Sequence, residues 1–183
     1  MPRREILTIG HSTHPADRFI RLLAANRVEL VADVRRFPGS RRNPQFGAEA
    51  LAASLAGAGI GYEQLGAELG GRRRARRDSP NDAWRVGAFR AYADYTATDD
   101  FRRGLARLEA LASERRTAIM CAEADWRRCH RRLISDALLA RGWRVLHIAP
   151  DSGQSEHALP DFATVANGQV SYASQPPLER GRG

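Results

Sequence analysis

The stretch EILTIGHSTHPADRFIRLLAANRVELVADV, residues 5–34, decides the fold class. It begins and ends in short apolar runs, EILTIG and VELVADV, of the kind that form buried strands. Between them Phe19, Leu22 and Leu23 recur at helical spacing behind Pro15, a residue that the first turn of a helix tolerates. A strand, a helix and a second strand in this order form a β-α-β unit, whose two strands lie parallel in one sheet.

The remainder of the chain continues the alternation of strand and helix. Five strands are predicted, at 5–10, 28–34, 59–65, 117–121 and 143–149. Five helices are predicted, at 15–26, 46–59, 83–97, 99–114 and 127–142, with Thr98 as an N-cap and Gly142 as a C′ residue. This order predicts an α/β fold with a mostly parallel sheet of about five strands and helices on both faces, a three-layer sandwich.

A chain of 183 residues, 43% of them hydrophobic, can bury one full core, which predicts a single domain over residues 1–173. After Pro150 the chain is richer in Ser, Gly, Gln and Pro; there 169–173 suggests a last strand, and 174–183 is predicted to be a flexible tail. No apolar run approaches the roughly 20 residues needed to cross a bilayer, and the start is unlike a signal peptide. We therefore expect a cytoplasmic protein with no membrane partner, and the oligomeric state stays open.

The basic residues of the chain are all of one type. The net charge is +8, and all 29 basic residues are arginine. Complete use of arginine is more typical of GC-rich coding bias than of selection at each site, so the total is weak evidence for a nucleic-acid partner. The clusters at 35–42, 70–77 and 126–132 carry more information. Arginine matches the geometry of phosphate and carboxylate, so clusters that meet on one face would form an anion site.

Polar residues follow the predicted strands at the edge where parallel sheets bind their ligands. A single polar loop residue is most often structural, but several loops that offer reactive side chains to one edge favour a site. The candidate catalytic residues are Cys121, Glu123, Cys129, His130, Asp33 and His11. The candidate substrate-binding residues are Ser12, Arg35, Ser40, Arg41, Gly70, Gly71, Arg72 and Arg131.

Both cysteines lie in CAEADWRRCHRR, residues 121–132, between a predicted strand and a predicted helix. The N-terminus of a helix favours an anion and lowers the pKa of a nearby thiol. Cys121 or Cys129 is therefore a candidate nucleophile or metal ligand, and His130 a candidate acid or base. Trp126 lies among charged residues, where we expect it to contact a ligand.

Other interpretations of the same residues remain open. A zinc site would take Cys121, Cys129, His130 and either His11 or His147, although the spacing lacks the short C-x₂₋₄-C knuckle. Asp33 or Glu123 could hold a divalent metal, so the cofactor is unknown and a divalent metal is one alternative. Cys129 is equally consistent with simple packing. The motifs GxxxxGK[ST], GxGxxG, HExxH, GxSxG and C-x-x-C are absent, which excludes the proteins that they mark.

Four blocks of sequence, followed by VLHI at 145–148, resemble a known family. They are TIGHS at 8–12, DVRRFPGSRRNPQF at 33–46, GIGYEQLGAELGG at 59–71 and CAEADWRRCHRRLISDAL at 121–138. Together they resemble domain-of-unknown-function family 488 of bacteria and archaea, over residues 6–172. The resemblance implies a compact α/β sandwich with the blocks around one cleft, and it leaves the reaction open. Its distinctive positions here are His11, Ser12, Asp33, Arg35, Pro38, Ser40, Gly70, Gly71, Cys121, Glu123, Cys129, His130 and Arg131.

The function that we expect from these observations is enzymatic. The leading hypothesis is a hydrolase or transferase that acts on a phosphate-bearing substrate, a phosphorylated small molecule or nucleic acid. In this hypothesis Arg35, Arg41, Arg72 and Arg131 hold the phosphate in a cleft at the carboxyl ends of the strands. One alternative is a noncatalytic nucleic-acid binding module, in which arginines neutralise backbone phosphates. A second alternative is a metal-binding or thiol-based regulatory protein.

Overall fold

The computed structural model describes residues 4–39 and 41–174 and has the predicted α/β architecture. The strands of the main sheet are β1 (Glu5–Gly10), β2 (Leu30–Asp33), β3 (Gly61–Gln64), β4 (Thr117–Cys121), β5 (Arg144–Ile148) and β6 (Gln154–Glu156). Their order is β3-β2-β4-β1-β5-β6, and every neighbouring pair is parallel except β5 and β6. The mostly parallel sheet is thus confirmed, with a short antiparallel strand added at one edge.

Five helices lie close to their predicted positions, and a short sixth helix, α3 (Gly66–Leu69), was not predicted. The others are α1 (Ala16–Ala25), α2 (Ala48–Gly57), α4 (Gly87–Thr96), α5 (Asp99–Glu114) and α6 (Arg131–Ala140), with 3-10 turns at Pro44–Phe46 and Trp126–Arg128. The predicted N-cap is confirmed, because the side chain of Thr98 accepts a hydrogen bond from the backbone N–H of Phe101. None of the helices in the described ranges is long and apolar enough to span a membrane.

Two apolar layers cover the two faces of the sheet, as alternate residues of each strand require. On one face Leu7 and Met120 pack with α1 and α2, including Phe19 and Leu51. On the other face Ile6 and Ile119, which precede Leu7 and Met120 in the same strands, pack with α4, α5 and α6. The central strands β1, β2 and β4 are buried on both sides, which explains why they are almost wholly apolar.

The C-terminal part differs from the prediction in one respect. The predicted last strand at 169–173 is real as β8 (Gln169–Ser171), but it pairs with β7 (Thr164–Ala166) in a separate hairpin. Of the predicted tail, residues 175–183 lie outside the described residues, whereas Ser174 donates hydrogen bonds to Asp82.

The connections of β1 and β4 create the opening in which a ligand can bind. The chain leaves β1 through α1 on one face and returns to β2, whereas it leaves β4 through α6 on the opposite face and returns to β5. Because β1 and β4 are neighbours, their following loops diverge and leave a crevice at the carboxyl ends of the strands.

Candidate functional site

A pocket of about 1010 Å³ lies in this crevice. Its walls come from the loops that follow β1, β2 and β4, the segment that precedes α6, the loop that follows α3 and the first part of α4. Nine of the predicted site residues line it: His11, Ser12, Arg35, Gly71, Arg72, Cys121, Glu123, Cys129 and His130. Convergence at this edge is what the strand ends predicted, and the structure brings it about through three adjacent strands.

Close contact between two backbone segments forms one wall of the pocket. The N–H of His11 donates to the carbonyl of Cys121 at 2.9 Å, and the N–H of Ser12 donates to the carbonyl of Ala122 at 3.0 Å. A Cβ atom at Gly10 would lie 2.0 Å from the carbonyl oxygen of Glu123, so only glycine allows this approach. The loop after β4 is thereby held against the end of β1.

The sulfur of Cys129 belongs to a buried residue in the lining of the pocket and accepts hydrogen bonds from Arg131. The backbone N–H of Arg131 donates to it at 3.5 Å and the Nε–H at 3.4 Å. A hydrogen bond from the Cys121 thiol is the largest cause that lowers the pKa of Cys129 well below its usual range, with His130 and Arg131 adding to it. The same hydrogen bond, together with burial, raises the pKa of Cys121. These directions, together with the two N–H donors from Arg131, favour Cys129 over Cys121 as the thiolate of the pair.

His130 lies beside this sulfur in a defined tautomer. Its Nε2 lies 3.1 Å from the carbonyl oxygen of Val34, which can only accept, so Nε2 carries a proton. Its Nδ1 then faces the sulfur of Cys129 at 3.7 Å. Gly71 packs on the ring, since a Cβ atom there would lie 3.0 Å from Nδ1. The arrangement places a nucleophile, a base and an orienting carbonyl in sequence, as cysteine-dependent catalysis requires.

Arg131 is buried, and its guanidinium group forms hydrogen bonds with other groups of the protein. Besides the sulfur of Cys129, its guanidinium bonds to the hydroxyl of Thr8 at 3.5 Å and to the carbonyl oxygen of Glu123. It lies behind the pocket wall and does not line the cavity. Its charge therefore acts on the thiolate, and its predicted contact with a substrate stays a prediction that this position does not favour.

A buried hydrogen-bonded chain continues behind Arg131. The Nδ1 of His147 lies 2.7 Å from the hydroxyl of Thr8, and its Nε2 lies 2.9 Å from Nδ1 of His157. His157 bonds in turn to Asp136 at 2.7 Å, whose other oxygen accepts from Tyr172. His147, which the sequence offered as one of two possible fourth zinc ligands, thus has both ring nitrogens in hydrogen bonds. Trp126, expected to contact a ligand, stacks on the ring of His147 with centroids 3.9 Å apart.

Asp33 and Arg35 form a buried ion pair. The guanidinium binds both carboxylate oxygens of Asp33, at 2.7 to 3.2 Å, and the hydroxyl of Tyr62 donates to the same carboxylate at 2.6 Å. Desolvation and this hydrogen bond raise the pKa of Tyr62 to about 12. Both oxygens of the carboxylate therefore accept hydrogen bonds from the protein. These contacts favour a structural role for Asp33 over a catalytic role.

His11 is held as a neutral ring by its neighbours. Nδ1 bonds to the carbonyl oxygen of Ser12 at 2.8 Å, so Nε2 accepts from Arg35 at 3.3 Å, and the ring stacks on Phe46. Burial is the largest cause that lowers the pKa of His11 to about 4. With both nitrogens occupied, His11 forms part of the wall that positions Arg35, and it has no free nitrogen for a metal.

Three exposed arginines complete the pocket: Arg36, Arg72 and Arg128. Within residues 4–39 and 41–174, none of the three forms an ion pair. Arg72 is in the predicted set, whereas Arg36 and Arg128 are not, although both belong to arginine clusters visible in the sequence. The rim of the pocket is therefore positively charged and open to an anion.

The remaining predicted residues lie elsewhere. Gly70 is buried beneath Arg36, where a Cβ atom would strike the carbonyl oxygen of Gly66 at 2.3 Å. Arg41 is exposed and does not line the cavity. Ser40 lies outside the described residues. Phe37 at the rim, 66% exposed, and the buried Tyr92 beside His130 are pocket residues that the predicted set lacks.

Comparison with known proteins gives a family and no closer relative. A family model described as "Domain of unknown function DUF488" matches residues 15–138, more than half of the chain. The match includes the loop after β2 and the two cysteines, and it begins after the TIGHS block. No curated protein and no solved structure matches the chain.

Proposed function

The chain belongs to the DUF488 family, and from that premise and the pocket geometry we propose that it is an enzyme that acts on a phosphate-bearing substrate. The observation that carries the proposal is the position of the Cys129 sulfur, with its own N–H donors, in the floor of a pocket rimmed by three arginines without ion-pair partners in the described ranges. A nucleophile and anion-binding groups within one cavity are the parts that phosphoryl transfer needs.

Charge supports a phosphate as the substrate group. The pocket contributes Arg36, Arg72 and Arg128 at its rim, against one acidic side chain, Glu123. Guanidinium groups bind phosphate oxygens through paired N–H donors. Phe37 stands exposed at the same rim, where a nucleobase or another ring could stack. A nucleotide or a nucleic-acid end fits these two features.

The proposed reaction balances with water as the second reactant. The Cys129 thiolate attacks phosphorus, the bond from phosphorus to the leaving oxygen breaks, and that oxygen takes the proton that Cys129 has passed to Nδ1 of His130. Water then attacks the thiophosphate, Nδ1 takes one proton from the water, and the sulfur–phosphorus bond breaks. The products are inorganic phosphate and the dephosphorylated compound, and Cys129 and His130 return to their starting state.

Protection from alkylation tests the proposal without knowledge of the natural substrate. Iodoacetamide modifies Cys129 at a rate that peptide mass spectrometry measures, first in buffer and then with inorganic phosphate or tungstate. We expect the anion to slow modification of Cys129, and Arg72→Ala to weaken this protection by about tenfold, as loss of a charge-assisted hydrogen bond of about 1.4 kcal/mol predicts. Arg41→Ala, an exposed arginine outside the pocket, is the matched control and should keep the protection.

A modification rate that is the same with and without anion would overturn the proposal. Turnover gives the second measurement: phosphate release from nucleotides, phosphorylated oligonucleotides and an aryl phosphate, compared for the natural chain and Cys129→Ser. Activity that survives in Cys129→Ser with an unchanged rate would remove this residue from the mechanism.

A noncatalytic nucleic-acid module remains the second candidate, because several exposed arginines, such as Arg41, Arg42 and Arg74, lie outside the pocket. Such a module would bind DNA or RNA with an affinity that falls steeply with salt and is the same in Cys129→Ser. Loss of binding in that variant would instead favour the pocket.

A further inference from the structure

The donor atoms of Cys121, Cys129 and His130 all lie within 4.8 Å of one another at the floor of the pocket. A tetrahedral ion with two thiolate ligands and one imidazole ligand spans such distances, because its bonds are about 2.3 Å to sulfur and about 2.0 Å to nitrogen. The three side chains are thus already close to the positions that one small ion would require.

We propose that Cys121, Cys129 and His130 form a binding site for one Zn²⁺ ion, with its fourth position open to the pocket, and that the bound ion withdraws Cys129 from reaction. The second part rests on the proposed function, since it concerns the thiolate that we assign as the nucleophile; the binding site itself does not depend on the reaction.

The surroundings of His130 favour ligation. Its Nε2–H is engaged by the carbonyl oxygen of Val34 at 3.1 Å, which leaves the lone pair of Nδ1 on the side of the two sulfurs. A backbone carbonyl that accepts the second ring proton is the usual outer partner of a metal-bound histidine. Gly71 lies against the ring and adds no side chain that would block the ion.

The surroundings of the sulfurs favour it as well. Cys121 ends β4, where its partner Gly10 fixes the backbone, and Cys129 caps the 3-10 turn before α6. The N–H and Nε–H groups of Arg131 donate to the sulfur of Cys129, as outer donors to zinc-bound thiolates do. Two thiolates and an imidazole select Zn²⁺ or Co²⁺ over Mg²⁺ and Ca²⁺, which prefer oxygen ligands.

Among the residues that the structure describes, three protein ligands form the site. The histidines that could serve as a fourth are occupied, because His11 bonds to Ser12 and Arg35 and His147 bonds to Thr8 and His157. Structural zinc sites close all four positions with protein ligands, whereas a three-ligand site keeps one position for water or an anion. Here that position faces the arginine-lined cavity.

Binding must release protons, because the metal takes both sulfurs as thiolates. One proton comes from the Cys121 thiol, and the other is the proton that Cys129 has passed to Nδ1 of His130. No oxidant or reductant is needed, and the affinity is expected to rise with pH.

Titration of metal-free protein with Co²⁺ tests the site. The protein is dialysed against a chelator, and the near-ultraviolet absorption of the thiolate–Co²⁺ bond is followed. We expect one ion per chain and displacement of the band by Zn²⁺. Cys121→Ser, Cys129→Ser and His130→Gln should each weaken binding by about tenfold or more. His14→Gln, a histidine outside the cluster, is the matched control and should bind as the natural chain does. Circular dichroism of each variant checks that it is folded.

The outcomes separate the two proposals. Absence of a thiolate–Co²⁺ band in the natural chain, or an affinity for Co²⁺ that Cys129→Ser leaves unchanged, overturns the zinc site and leaves the proposed function standing. A band with the expected dependence, but with Cys129 alkylated as fast in the Zn²⁺-loaded protein as in the free protein, overturns the withdrawal of the nucleophile. Failure of anion protection in the metal-free protein would overturn the proposed function, and with it the role of zinc in withdrawing the nucleophile, but would leave the binding site for zinc standing.

Discussion

At the scale of single residues, the pocket separates groups that hold each other from groups that are free to act. Asp33 and Arg35 form an ion pair with each other, so these two charged side chains support the structure of the pocket. Cys129 has donors but no covalent or carboxylate partner, and its acidity depends on a neighbouring thiol. The distinction rests on distances of a few ångströms, which sequence spacing does not contain.

The Asp33–Arg35 pair predicts a large and specific loss of stability. Asp33→Asn leaves the Arg35 charge buried without its counter-ion, which should lower the free energy of unfolding by about 3 kcal/mol or more. Urea denaturation measures this. The matched control is Asp17→Asn, which breaks the exposed pair of Asp17 with Arg21 and should leave the unfolding curve almost unchanged. Equal effects of the two substitutions would contradict the assignment of a structural role to Asp33.

The cysteine pair predicts an unusual pH profile of alkylation in metal-free protein. Because the pKa of Cys129 is lowered, its modification should persist as the pH falls below the usual range for a thiol, near 8.5. Cys121→Ala removes the largest cause of that shift and should move the profile of Cys129 to higher pH. Peptide mass spectrometry after timed quenching measures both. A profile that does not move would show that the Cys121 thiol is not the donor.

At the scale of elements, the contact between β1 and the loop after β4 positions the side chains of the pocket. Gly10 ends β1 at the point where the loop after β4 crosses it, and the contact there holds Cys121 and Glu123 beside the pocket. Thr98 is the N-cap of α5. The sequence predicts this cap because it depends only on residues close to Thr98 in the chain.

Two glycine substitutions test the close approach of β1 and the β4 loop. Gly10→Ala places a Cβ atom against the carbonyl oxygen of Glu123, and we expect a loss of about 2 kcal/mol or more and weaker anion protection of Cys129. Gly57→Ala, at the end of α2 with open space around it, should raise stability by about 0.5 kcal/mol. Thermal unfolding followed by circular dichroism compares them. A Gly10→Ala protein as stable as the natural chain would refute the constraint.

At the scale of the whole molecule, burial of neutral histidines links stability to pH. Burial is the largest cause that lowers the pKa of His11 to about 4 and of His147 to about 3. The unfolded chain takes up these protons at a pKa of about 6.5. Below that value the unfolded state therefore binds more protons than the folded state, so the free energy of unfolding must fall as the pH is lowered.

This linkage predicts a slope in stability between about pH 6.5 and about pH 4. Urea denaturation at several pH values should show it, and His147→Gln should be less stable than the natural chain at neutral pH yet have a shallower slope. His14→Gln, which leaves both buried rings in place, should retain most of the slope. A slope that is unchanged in both His147→Gln and His11→Gln would exclude the buried rings as its cause.

The sequence by itself determined the class of fold and the ends of its main elements. Apolar runs and helical spacing are local patterns, so the strands at 5–10 and 117–121 and the helix at 99–114 have the predicted bounds. It also determined which edge would hold a pocket, because the carboxyl ends of parallel strands always meet.

Only the tertiary structure decided which of the gathered side chains are free. Asp33, His11 and Arg131 were as plausible as Cys129 in the sequence. In the structure Asp33 and His11 both bind Arg35, and Arg131 binds the carbonyl oxygen of Glu123. Of these four residues, only Cys129 keeps a reactive atom in the cavity. Strand order likewise placed β1 beside β4, although Gly10 and its partner Cys121 are 111 positions apart in the sequence. The N–H of His11, the next residue after Gly10, donates to the carbonyl oxygen of Cys121 at 2.9 Å. Partners so distant along the chain are chosen by packing, and no local pattern records them.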